Sequence, residues 1–141
     1  MTRRRVFQAV SALVITAVLL ATTAAISAAQ CGGPMGGTSA RRVRFPRGRT
    51  TAVLKGAVVR GTTDRYLLGA RAGQTMTVHV TARERNAVFQ IYAPNGDTLD
   101  GASETSDATD WSGELPASGD YTIVVGGTRG NANYTLEVTI R

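Results

Sequence analysis

One histidine, one cysteine and one tryptophan occur in the 141 residues, so the side chains that could carry chemistry can be weighed singly. His79 stands in the run Thr75-Met-Thr-Val-His-Val-Thr81, on the threonine side of an alternating pattern. A general base needs a nucleophile or carboxylate within hydrogen-bond reach, and a triad needs an orienting group as well. No serine sits in a Gly-x-Ser-x-Gly turn, and one histidine without partners does not make a zinc site. His79 is therefore read as a surface residue and the chain as a non-enzyme. A second constellation is acidic: Asp97, Asp100, Glu104, Asp107 and Asp110 fall close together beside Asn95. Calcium takes about six to eight oxygen ligands, which such a stretch could gather. The spacing departs from the EF-hand loop, so a solvated loop is the default. Calcium at Asp97, Asp100, Asp107 and Asp110 stays as the alternative, and no other cofactor is expected. Trp111 either stacks on a sugar ring or anchors a protein interface, or it belongs to the core, and its size favours the core.

The net charge of +6 comes from the flanks. Arg3, Arg4 and Arg5 precede a long apolar run, and Arg41, Arg42, Arg44, Arg47 and Arg49 form a second cluster. From Thr50 onward, eight basic residues face ten acidic ones. A nucleic-acid reader needs a basic face on its folded part, which this balance denies. The arginine run at 41–49 suits either an anionic lipid or polymer, or a solvated tether that helps set topology.

The opening residues read as an export signal: a basic start, an apolar stretch from Val6 to about Ile26, then small residues at Ser27, Ala28 and Ala29. Cleavage before Gln30 removes residues 1–29; an uncleaved anchor is the alternative, because the apolar run approaches the roughly 20 residues that span a bilayer. Cys31 adds a further option, a lipidated first mature residue. Each route places the body outside the cytoplasm, periplasmic or secreted, with membrane contact only through the N-terminal segment. Residues 30–49, rich in Gly and Arg and broken by Pro34 and Pro46, read as a linker without packed elements.

From Thr51 the chain alternates with period two, which sends successive side chains to opposite sheet faces. Strands are predicted at 52–60, 65–70, 75–81, 87–92 and 109–115, then around Tyr121, Ile123 and Val125, and around Tyr134, Leu136, Val138 and Ile140. Pro94-Asn95-Gly96 is a turn signal. Between 97 and 110 only Leu99 is expected inside, and 126–131 is expected as a loop or hairpin connection. Seven or eight short strands without a helix predict an all-β domain over 50–141, an antiparallel β-sandwich or jelly-roll-like arrangement. Edge strands of such a sandwich leave pairing between copies open.

The run Tyr66-Leu-Leu-Gly-Ala-Arg71-Ala-Gly73-Gln74-Thr75 and the later Gly113-Glu-Leu115-Pro116-Ala-Ser-Gly119-Asp120-Tyr121 resemble bacterial pre-peptidase C-terminal (PPC) domains. A signal followed by one sandwich, closing on Asn133-Tyr134-Thr-Leu136, is similar in layout to the periplasmic inhibitors of g-type lysozyme. The motif residues have fold-making roles: Gly73 permits a tight turn, and Tyr121 and Tyr134 offer apolar bodies with hydroxyls at the rim. The resemblance implies a loop at one edge that plugs a lysozyme cleft and meets its acidic groups. It points to Arg129, in the connection at 126–133, and to Tyr66 as partner-binding residues. The inhibitors' arginine-rich connection is glycine-rich here and keeps Arg129 alone. A structural or glycan-contacting PPC-like envelope module is the other reading, and another envelope protein is the other partner class.

Overall fold

The computed structural model describes residues 40–141; the expected signal, Cys31 and the first part of the linker lie outside the described residues. Eight strands run in order: β1 (Arg41–Arg42), β2 (Thr51–Val58), β3 (Thr63–Ala70), β4 (Thr75–Ala82), β5 (Ala87–Tyr92), β6 (Asp110–Glu114), β7 (Gly119–Gly127) and β8 (Ala132–Ile140). They form two sheets, β1-β3-β7-β5 and β2-β8-β4-β6. Odd strands occupy one sheet and even strands the other, so every connection crosses the sandwich. The segment between β7 and β8 is accordingly a cross-over loop and not a hairpin. All pairings are antiparallel except the short parallel contact of β1 with β3.

The period-two pattern decides which residues are inside. Met76, Val78 and Val80 from β4 meet Leu136 and Val138 from β8 on one inner face. Tyr66 and Leu68, Phe89 and Ile91, and Tyr121, Ile123 and Val125 form the other. Burying side chains of this size stabilises the fold by roughly 1.5–3 kcal/mol each, measured against exposure.

Two stretches differ from expectation. Within 30–49, Arg41 and Arg42 pair with Tyr66 and Leu67 of β3, and the N–H of Val43 donates to the Leu67 carbonyl at 2.8 Å. Val43 is buried and Phe45 packs against the core, so apolar residues between the arginines draw this segment onto the open edge of β3. Within the acidic stretch, Ala102 and Ala108 are buried along with Leu99. Their backbone runs beside β5: Phe89 N–H donates to Ala108 O at 2.8 Å and Ile91 N–H to Ala102 O at 2.9 Å. This loop covers a sheet edge that would otherwise invite another chain.

A chain of hydrogen bonds links the sheets through their interior. Arg41 donates to the Tyr66 hydroxyl at 2.6 Å, the Tyr66 and Tyr134 hydroxyls lie 2.6 Å apart, and Tyr134 donates to Asp64 Oδ2 at 2.5 Å. The Arg41 guanidinium also sits 5.0 Å from the Tyr66 ring centroid, within cation–π range. Gly56 makes room for this: a Cβ there would overlap the Tyr134 hydroxyl and ring and stand 2.9 Å from Asp64 Oδ2. Gly56→Ala is therefore expected to destabilise the domain by about 1–3 kcal/mol, the range for overpacking a filled core, read by urea denaturation.

Burial pushes the Tyr134 hydroxyl above the ordinary tyrosine range, and its bonds to Asp64 and Tyr66 add to the shift. A raised folded-state pKa stabilises wherever the unfolded tyrosine keeps its proton, and that stability is lost as pH climbs past the unfolded value near ~10. Thermal unfolding should thus hold its midpoint up to that pH and fall beyond it, with a shallower fall in Tyr134→Phe.

Candidate functional site

Because every connection crosses between sheets, three of them meet at one end of the sandwich: 59–62 after β2, 83–86 after β4 and 128–131 after β7. Two asparagine side chains bind them. Asn86, only 3% exposed, donates from Nδ2 to the carbonyls of Arg129 (2.8 Å) and Asn131 (2.9 Å). Its backbone carbonyl accepts the Thr128 N–H at 2.8 Å. Asn131 Oδ1 then takes the Arg60 N–H at 3.0 Å, which brings in the third turn. The glycine-rich connection that carries Arg129 is thus held in one conformation by a buried amide.

The charge on this end is lopsided. Arg60, Arg83, Arg85 and Arg129 are exposed there, against Glu84 as the one acid on the three turns. Among the described residues none of the four arginines is in an ion pair. Arg85 has φ of 51°, a left-handed conformation that is strained for a residue with a Cβ. Such strain persists where the surroundings enforce it and collects at functional positions. A cleft of about 240 Å³ opens beside it, lined by Arg83, Glu84, Asn86, Asn131 and Asn133.

The two residues expected to bind a partner are placed apart in kind. Arg129 is exposed at the tip of the stapled loop. Tyr66 is 0% exposed, because the alternation that buries Leu68 points Tyr66 inward as well; its hydroxyl is taken up by Arg41 and Tyr134. Arg60, Arg83, Arg85 and Asn86 escaped sequence reasoning. The run Arg83-Glu-Arg85-Asn86 was a signal in the turn after β4, but only the crossing topology sets it beside Arg129.

The remaining candidates are scattered. His79 Nδ1 meets the Asp110 carboxylate across the β4–β6 pair, and Thr109 donates to the far carboxylate oxygen at 3.1 Å. The hydroxyl lies on the aspartate and not on the ring, so this half-exposed pair fastens edge strand β6 without priming a nucleophile. Asp97 is held by Asn95 at 2.7 Å, and the Asp100 carbonyl accepts the Trp111 indole N–H at 2.8 Å. Among the described residues no three acids, histidines or cysteines gather as they would around an ion, Asp97, Asp100, Asp107 and Asp110 included. Trp111, expected in the core, is half-buried at its margin above Gly101 and Gly113.

No protein-family model matches the chain, and no curated protein does. Solved structures do. The periplasmic inhibitor of g-type lysozyme (PliG) from Aeromonas hydrophila is 34% identical, superposes with a TM-score of 0.63, and aligns over 73% of this chain and 96% of its own. The chain belongs to the PliG family. Its Salmonella Typhimurium relative in that family is 26% identical, with a TM-score of 0.60 over 74% of this chain and all of the relative (100%). The pre-peptidase C-terminal domain of Bacillus anthracis collagenase, at 15% identity and a TM-score of 0.51, shares the fold alone. Both PliG structures are of periplasmic inhibitors of g-type lysozyme.

In this PliG-family chain, Asn86→Ala strands the Arg129 and Asn131 carbonyls while the backbone bond from Thr128 N–H to residue 86 survives. The expected cost is about 1–3 kcal/mol of stability, with faster amide hydrogen exchange confined to Thr128–Asn131 and the turns they touch.

Proposed function

We propose that this chain is an exported inhibitor of a g-type lysozyme and that it meets the enzyme with the three-turn end. The observation that carries the reading is the set of four arginines, free of ion pairs among the described residues, on loops that a buried asparagine holds rigid. Glycoside hydrolases work through carboxylates in a cleft, so a cationic projection is complementary to the region an inhibitor has to block. Loops fixed before binding lose little freedom on association, which favours affinity. Unpaired surface charge also speeds encounter and makes the rate salt-dependent.

Arg129 is the intended anchor, at the apex of the loop. Arg85 stands in the neighbouring turn, in a backbone conformation a glycine would adopt more easily, and is the second contact. The PliG relatives supply the partner class, and the apolar run at 6–26 with small residues behind it supports delivery to the periplasm.

Lysis of peptidoglycan by a goose-type lysozyme should be suppressed by the purified protein. Arg129→Ala should weaken inhibition by at least about tenfold, as the loss of a central interface arginine does. Arg71→Ala, on a turn at the opposite end, should inhibit like the parent. An uninhibited enzyme at large molar excess of the parent, or full inhibition by Arg129→Ala and Arg85→Ala alike, would reject this assignment.

A further inference from the structure

The outer face of the β1-β3-β7-β5 sheet is not a flat solvated surface. Cross-strand register sets Arg65, Val124 and Gln90 in one row across β3, β7 and β5, and Leu67, Thr122 and Tyr92 in the next. The turn at Pro94–Gly96 and Glu104 from the long β5–β6 loop rise along one side, and the result is a trough of about 540 Å³. Arg42 and Asp120 close one end with a two-pronged ion pair, 2.7 and 3.1 Å, made across Gly69. None of the arginines of the three-turn end lines it.

The lining chemistry narrows the ligand. Tyr92 is half-buried on the floor, and its hydroxyl donates to Gln90 Oε1 at 2.8 Å. That bond occupies the Gln90 amide oxygen and leaves its nitrogen, a donor, without a partner among the described residues. Arg65 and Glu104 are exposed there, and among the described residues neither is in an ion pair. Their charges cancel, as do those of Arg42 and Asp120, so the trough has no net preference for an ion. What remains is an aromatic face, an amide donor, and a cation and a carboxylate able to donate to and accept from hydroxyls. The floor is a sheet face, not an edge with free backbone groups, so a peptide could not add to it as a strand.

We propose that this trough is a saccharide-binding site for a neutral, N-acetylated oligosaccharide. Tyr92 stacks on the apolar face of a pyranose ring, the Gln90 amide donates to an acetamido carbonyl, and Arg65 and Glu104 bind ring hydroxyls. The site is independent of lysozyme inhibition, since it uses a different surface and different residues.

Titration calorimetry of the purified protein with chitotetraose tests it. Saturable binding with a Kd below about 1 mM is expected. Tyr92→Ala should weaken it about tenfold, the worth of an aromatic stacking contact, while Tyr92→Phe keeps most of the affinity. Thr122→Trp, which fills the floor from the solvent side, should abolish binding at an unchanged melting temperature. Arg129→Ala should bind the sugar like the parent, and Tyr92→Ala should still inhibit the lysozyme, so the two assignments fail separately. No saturation at about 10 mM chitotetraose, or binding untouched by both Tyr92→Ala and Thr122→Trp, overturns the proposal.

Discussion

Successive strands of this domain lie in opposite sheets, and that one constraint organises most of the molecule. Sheets pack about 10 Å apart, so each short connection is an arch over the end of the core and not a hairpin. Three arches fall at the same end because β2, β4 and β7 all finish there. Residues far apart in sequence, Arg60, Arg85 and Arg129, thereby share one small surface. The trough on the outer face depends on the same arrangement, since β5 receives β7 on one side and the long β5–β6 loop on the other.

Two polar contacts do inside the sandwich what apolar packing cannot do alone. The hydroxyls of Tyr66 and Tyr134 join the sheets at one register, with Arg41 and Asp64 satisfying the ends of the chain. Asn86 gives both hydrogens of its side-chain amide to loop carbonyls, and its backbone carbonyl accepts from the same loop. A net hydrogen bond is worth only about 1 kcal/mol, whereas leaving a buried partner unmet costs up to about 3. Such contacts therefore select one arrangement among packings of similar apolar area. Among the described residues no buried side-chain nitrogen or oxygen lacks a partner, which fits that role.

The strands were legible because burial on one face writes a period of two into the sequence. The predicted 87–92 coincides with β5 (Ala87–Tyr92), and the inward sets Met76, Val78, Val80 and Tyr121, Ile123, Val125 are those observed. Which strand pairs with which was not legible, because alternation names a face and not a neighbour. That gap explains what was misplaced. Tyr66 carries a polar tip, and its position between charged Arg65 and Leu67 gave no hint that a second tyrosine waited across the core. The short β1 was hidden because Arg41 and Arg42 contribute backbone pairing and surface ion pairs, while Val43 alone adds apolar burial. Arg129 stood out in a glycine-rich loop, but its companions in other turns become neighbours only after folding.

The pairing pattern has a kinetic side. Each ladder between strands joins distant parts of the chain, the nearest being Arg41 with Tyr66, 25 residues away. No adjacent pair of strands can zip up by itself and serve as a seed. Loop closure has to precede any reward from contacts, which places such topologies at the slow end of single-domain folding, in milliseconds to seconds. The sheet β2-β8-β4-β6 is continuous only once β8 lies between β2 and β4. The nine-residue β8 therefore acts as the latch of its sheet, and truncation there is felt directly by β2 and β4, the strands on either side of it.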